Sequence, residues 1–219
     1  MSENFTVVIP ARFASQRLPG KPLRDIAGRP LIQRTFESAA RCRATNVVVA
    51  TDDEGISQAV RQFGGESCMT SSAHQSGTDR VAEAARILEL APTEIVVNVQ
   101  GDEPDMPGEL IDQVATLLSE DSHAMVATAC TALDQPQQYS DPSVVKVVTD
   151  KKGHAIYFSR AAIPHAREHQ DDSSDRVPWR EVRRHIGIYA YRCEYLQHMS
   201  LIHILRCRRI ERCRTRWSP

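Results

Sequence analysis

No stretch of this 219-residue chain approaches the ~20 consecutive apolar residues that a membrane helix needs. Its opening, MSENFTVVIP, lacks the basic and apolar regions of a secretory signal. A cytoplasmic protein without membrane insertion is the expectation. Charge of one sign is missing too: 27 Lys+Arg against 28 Asp+Glu leave a formal net charge of -1, so no global field calls for nucleic acid as a partner. Six cysteines are present (Cys42, Cys68, Cys130, Cys193, Cys207 and Cys213), and no two form a CxxC pair. Their spacing argues against a zinc ribbon or a thioredoxin-like site and leaves them as small core residues. The GK[ST] ending and long glycine spacing of a P-loop are also absent.

What is present is length enough for one large α/β domain with a smaller excursion. Residues 7–23, VVIPARFASQRLPGKPL, join a short β-branched run to a loop carrying Arg12, Arg17 and Lys21. Val7, Val8 and Ile9 read as an interior strand of a parallel sheet. Ligands of open α/β sheets bind beyond the carboxyl ends of strands, so three cations around Gly20 suit an anion such as a phosphate chain. A solvated basic loop is the plainer alternative. An arginine fork can grip two phosphate oxygens, whereas lysine is a point charge able to follow charge developing on a leaving group.

The rest of the chain continues the winding. A helix is predicted over 30–40, a strand over 46–50, and a helix over 54–63 stopped by Gly64 and Gly65. Ser76, Gly77 and Thr78 then precede a helical run over 79–90, where they could cap the helix or approach a ligand. A buried strand over 94–99 ends in QGDEP. Asp102, just past that strand and opposite the basic loop, is placed to hold Mg²⁺, though an Asp beside Gly101 commonly bonds its own turn. After a helix over 107–118 and a strand over 124–131, the segments 144–149 and 155–159 read as antiparallel hairpin partners. Residues 165–180 read as a surface loop, and 184–192 alternate as a strand. Arg160 and His185 form a basic patch suited to a sugar carboxylate, or lie on the polar face of a half-buried sheet.

Several segments carry a family resemblance in order: IPARFASQRLPGKPLRDIAGRPLIQRTFESA, VVATDD, HQSGTDR, VNVQGDEP, SVVKVVTD, YFSRAAIP and RHIGIYAYR. Together they resemble the 3-deoxy-manno-octulosonate (Kdo) cytidylyltransferases, or CMP-Kdo synthetases, over residues 5–198. The resemblance implies a Rossmann-like, mostly parallel sheet flanked by helices with a smaller antiparallel excursion, the nucleotide-diphospho-sugar transferase fold. It implies transfer of a cytidylyl group from CTP to Kdo, the acidic octulosonate of bacterial lipopolysaccharide, in a Mg²⁺-dependent homodimer. By the same resemblance Ala11, Arg12, Arg17, Gly20, Lys21, Ser76, Gly77 and Thr78 hold the nucleotide. Arg80, Gln100, Arg160, His185 and Tyr189 contact the sugar, Asp102 binds the metal, and Arg12, Lys21 and Asp102 serve catalysis.

The match fades after His198. In place of a Pro-Leu-Glu helix start and a later Val-Asp-Thr-Pro-Glu-Asp segment stands SLIHILRCRRIERCRTRWSP, residues 200–219. Residues 1–198 are therefore expected to form the cytidylyltransferase domain and 199–219 an atypical Arg/Cys-rich tail. A shifted reading frame or an artefactual addition explains its composition better than a nucleic-acid-binding role. Part of the dimer interface, the sugar contacts and a second metal carboxylate are expected to be missing, which puts the dimer in doubt. Two rival readings are a cytidylyltransferase for another acidic sugar, such as a sialic acid, and a nucleotide-binding pseudoenzyme.

Overall fold

The computed structural model describes residues 4–14, 18–165, 179 and 182–202, without the side chains of 200–202. Strand β1 (Phe5–Ala11) buries every residue but Pro10, as expected for an interior strand covered on both faces. A 3-10 turn (Lys21–Leu23) and the small hairpin β2 (Asp25–Ile26) and β3 (Arg29–Pro30) lead into α1 (Leu31–Ala39). β4 (Asn46–Thr51) and α2 (Glu54–Gln62) follow, with Asp53 accepting from the Ile56 N–H at 2.9 Å as the helix cap. Next come β5 (Glu66–Met69), α3 (Gly77–Ile87), β6 (Ile95–Asn98) and α4 (Gly108–Glu120). The chain continues through β7 (Val126–Ala132), the short α5 (Gln137–Ser140), β8 (Lys146–Thr149), β9 (Ala155–Ser159), β10 (Arg183–Arg192) and α6 (Cys193–Ile202).

Eight strands form one sheet in the order β5-β4-β1-β6-β10-β8-β9, with β7 paired to β10. Neighbours from β5 to β6 are parallel, whereas β10 is antiparallel to β6, β7 and β8. The predicted antiparallel excursion is thus continuous with the parallel half. β10 is the joint: β7 runs along one edge, while β6 and β8 share the other. Its register with β7 slips between Ile186 and Tyr189, a bulge that leaves Gly187 and Ile188 without β7 partners.

Strand alternation separates two cores. Val7, Ile9, Val49 and Val97 pack with Ile32 of α1, Ile56 and Val60 of α2 and Ile111 and Leu118 of α4. Val8, Val48 and Val96 face the other way, onto Val81, Ala82 and Ala85 of α3 and Leu196 of α6. Each fully buried Val, Ile or Leu side chain is worth about 1.5–3 kcal/mol, which suffices to hold the loops between these elements. The sequence reading missed β5 and the β2–β3 hairpin, both short and without an apolar run. Helix α6 runs through the expected boundary at residue 198; the rest of the tail, 203–219, lies outside the described residues, as do Arg17 and most of 165–180.

Candidate active site

Three loops at the carboxyl ends of β1 and β6 and the amino end of α3 enclose a cavity of about 650 Å³. β1 contributes Ala11 and Arg12, and the 3-10 turn contributes Lys21. Gly20, at the start of that turn, has φ 68°, a left-handed conformation that favours glycine, and its N–H bonds the Phe13 carbonyl at 2.9 Å. β6 delivers Gln100, Gly101 and Asp102. A β-carbon on Gly101 would stand 2.8 Å from the Pro10 carbonyl oxygen, so the two strand-end loops meet at a point that excludes any side chain. Thr35 braces the junction: its buried hydroxyl lies 3.2 Å from the Gly101 carbonyl and 3.2 Å from that of Leu31 in its own helix. Ser38, one turn on, donates to the Met106 carbonyl at 2.8 Å.

Across the cavity mouth the Lys21 ammonium donates to Asp102 Oδ2 at 2.6 Å, with both side chains partly exposed. Asp102 therefore faces solvent rather than bonding the turn beside Gly101. Ser76 and Gly77 form the third wall. The Ser76 hydroxyl accepts from the Asp79 N–H at 3.1 Å and donates to the Asp79 carboxylate at 2.6 Å, so the capping role weighed from sequence is present. Gly77 packs its Cα side toward Pro10 and Gln100. Thr78 belongs to the first turn of α3 and is absent from the cavity lining.

Arg80 lines the cavity but is 2% exposed. Its Nη1 donates to Thr70 Oγ1 and its Nη2 to Asp52 Oδ2 at 3.0 Å. The other Asp52 oxygen is buried without a hydrogen-bond partner among the described residues. This pair would be costly to break on one side only. Arg80, expected to contact the sugar, shares the cavity wall with Ser76 and Gly77.

His74, which the sequence reading left unassigned, also lines the cavity, and its Nε2 contacts Glu83 Oε2. Burial works to raise the Glu83 carboxyl, but the Ser71 N–H and His74 bonds outweigh it and hold the group below its usual range.

The remaining expected sugar residues lie to the side. Tyr189 pairs with Asn98 across the antiparallel β10–β6 ladder, so the preceding residues of β10 run past the end of β6, where Gln100 and Asp102 begin. His185 packs edge-on to Phe158 at 5.0 Å between ring centroids, and at 5.3 Å from Tyr189. The Thr128 hydroxyl donates to the Ile188 carbonyl at 2.6 Å and so accepts from His185 Nε2 at 2.9 Å, which places the ring proton on Nε2. Burial lowers the His185 pKa to about 4. The patch expected to be basic through both residues has its charge on Arg160 alone, since a buried imidazole is neutral at pH 7. Arg160 Nη1 donates to the Pro142 carbonyl at 2.9 Å. None of Arg160, His185 and Tyr189 lines the 650 Å³ cavity.

Among the described residues no cluster of three His, Cys, Asp or Glu side chains is arranged for a metal. The four described cysteines have raised thiol pKa values, led by burial, which makes them poor nucleophiles; Cys68 and Cys193 are buried, and Cys42 and Cys130 partly so. No helix of the described residues is long and apolar enough to cross a membrane.

The chain is similar in sequence and in structure to known cytidylyltransferases. The cytidylyltransferase family model matches residues 6–215. A 3-deoxy-manno-octulosonate cytidylyltransferase of Idiomarina loihiensis is 52% identical over 195 residues, 89% of this chain and 77% of that protein. This chain belongs to the 3-deoxy-manno-octulosonate cytidylyltransferase family. The family member of Histophilus somni (strain 129Pt) is 47% identical over 224 residues, covering 98% of this chain and 87% of its own. A solved CMP:2-keto-3-deoxy-manno-octonic acid synthetase complexed with CTP superposes with TM-score 0.83 at 37% identity, over 99% of this chain and 90% of that one. A 4-diphosphocytidyl-2C-methyl-D-erythritol synthase from Anaerococcus prevotii, at 12% identity and TM-score 0.58, shares the fold alone. The mostly parallel, helix-flanked sheet expected from sequence is therefore the fold of this nucleotidyltransferase family.

Proposed function

We propose that the chain transfers the cytidylyl group of CTP to Kdo and releases pyrophosphate, using the cavity between the β1, β6 and α3 loops. The observation that carries the proposal is the Lys21–Asp102 pair, which sets a cation and a carboxylate side by side at the mouth of a cavity large enough for a nucleotide. In the reaction, the anomeric hydroxyl oxygen of the sugar bonds to the α-phosphorus as the bond to the β-phosphate oxygen breaks. The hydroxyl proton passes to water. Arg12 grips phosphate oxygens through its fork, and Lys21 moves from Asp102 onto the charge growing on the pyrophosphate. Ala11, Gly20, Ser76, Gly77 and Thr78 position the nucleotide through backbone and small side chains, and Arg17 adds a further cation. Arg80 and Gln100 close the inner wall, where base and sugar meet.

Asp102 suits Mg²⁺ as one of few protein ligands: it offers hard oxygens, it is half exposed, and its Oδ1 accepts no hydrogen bond from the described residues. Mg²⁺ bound there with phosphate oxygens would screen their charge. Most of the rate would come from positioning by these loops. On the sugar side, Arg160 meets the Kdo carboxylate, while neutral His185 and Tyr189 offer a hydrogen bond and ring surface. The proposal extends to the cytoplasm, where CTP is made; the homodimer implied by the resemblance depends on the interface that the atypical tail replaces. It also keeps the tail from residue 199 outside the catalytic domain.

The test is pyrophosphate release from CTP and Mg²⁺ with Kdo or with sialic acid, followed by product analysis and sedimentation. CMP-Kdo as the product supports the proposal. Turnover with sialic acid alone would overturn the choice of sugar, and CTP binding without pyrophosphate release would make the chain a pseudoenzyme.

A further inference from the structure

Lys146 is the largest fully buried side chain in the described part of the molecule. A buried lysine usually neutralises itself or finds an acid. This one does neither by contact: its ammonium donates to three main-chain carbonyls, those of Asp141 at 2.8 Å, Val144 at 2.8 Å and Arg160 at 2.7 Å. Three donors meet three acceptors, so Lys146 has nothing left for a substrate. Burial pulls its pKa down, the Asp141 carboxylate opposes that, and the Arg160 guanidinium adds to it.

The carbonyls between those of 141 and 144 go to the neighbouring cation. Arg160 Nη1 donates to Pro142 at 2.9 Å and reaches Ser143 at 3.4 Å. Four successive carbonyls, 141–144, are thus held by two positive side chains, and the fifth, that of Val145, accepts from the His185 N–H at 2.9 Å. Arg160 is gripped at both ends as a result. Lys146 holds its backbone carbonyl, and the turn ordered by Lys146 holds one corner of its guanidinium. Its Nε and Nη2 make no hydrogen bond among the described residues, and that edge of a guanidinium is one that grips a carboxylate with two parallel bonds.

We propose that Lys146 is a positioning residue for the acidic sugar: it fixes the 141–144 turn and the Arg160 main chain so that the Nε/Nη2 edge of Arg160 is presented to a sugar carboxylate. This rests on the reading that Arg160 binds that carboxylate. A lysine with a purely structural role would, when replaced, disturb stability or both substrates alike.

The experiment is a double-mutant cycle of Lys146→Met and Arg160→Met, with separate Michaelis constants for Kdo and CTP. Arg160→Met should raise the constant for Kdo by about 10- to 100-fold, the loss expected for a charge-assisted pair. Lys146→Met should raise it by about tenfold when Arg160 is present and by little when Arg160 is already Met, with the CTP constant unchanged in both. If Lys146→Met does not fold, Lys146→Gln, which keeps two amide N–H donors, replaces it in the same cycle. An effect of Arg160→Met on Kdo, joined to an effect of the Lys146 variant that is equal in both backgrounds or equal on CTP, overturns the positioning role alone. No effect of Arg160→Met overturns the carboxylate reading and the proposal with it.

Discussion

The Nζ of Lys21 lies 2.6 Å from Oδ2 of Asp102, so the loop after β1 and the loop after β6 are tied by one ion pair across the cavity mouth. Both side chains are more than a third exposed, and an exposed pair adds little stability. On the proposed function, phosphate draws Lys21 away and so frees Asp102. Lys21→Ala is expected to lower kcat about 100-fold or more, with a smaller change in the CTP Michaelis constant, since it removes charge matched to the leaving group. Steady-state kinetics decide it, and an unchanged kcat with a raised constant would make Lys21 a uniform binding residue.

Asp102→Asn is expected to abolish activity at ordinary magnesium while leaving the circular dichroism spectrum and thermal midpoint near those of the parent. The carboxylate lies outside the core, so its loss weakens the metal and not the fold. Magnesium titration is the measurement. Near-normal turnover of the variant at ordinary magnesium would contradict the assignment.

Arg80→Met is expected to destabilise the fold by about 3–5 kcal/mol, because it leaves Asp52 buried without its counter-charge. Arg80→Met combined with Asp52→Leu should recover part of that loss, but not the Michaelis constant for Kdo. Urea unfolding and steady-state kinetics with Kdo for the single and double variants separate the two contributions. Equal stability of parent and Arg80→Met would show that Asp52 finds another partner.

Stability should rise with pH between about 4 and 6.5, in part through His185. Its folded pKa is lowered from 6.5 to about 4, so within that window the unfolded chain binds a proton that the folded one refuses. The contribution is present in full above pH 6.5 and is lost progressively as pH falls to 4, at most about 3 kcal/mol. His185→Asn should flatten that part of the curve. Unfolding free energies from pH 4 to 7 for both proteins test it, and identical slopes would mean that His185 is charged in the fold.

The apolar run of Val7, Val8 and Ile9, the helix predicted over 30–40, and the strand-end position of Asp102 are local patterns, and a chain read in one dimension carries them. Each led to an element that the structure contains. β5 was illegible because ESCM has no apolar run and gains its ladder only from β4. Thr35 is one position in the helix predicted over 30–40, and its hydrogen bond to the Gly101 carbonyl depends on a strand-end loop 66 residues away.

Residue types and their order by themselves determined the family, the winding of the parallel half and the cations and carboxylate that line the cavity. Those features follow from backbone periodicity and from loops placed at strand ends, which short-range sequence encodes. Only the tertiary structure decided how the charges are spent. It buried Arg80 against Asp52, removed the charge of His185 beside Thr128 and Phe158, and set Lys146 among three carbonyls. The free energy of a charge depends on what surrounds it in three dimensions, and for these side chains the partners come from strands and turns remote in sequence or from carbonyls whose orientation no residue name reveals.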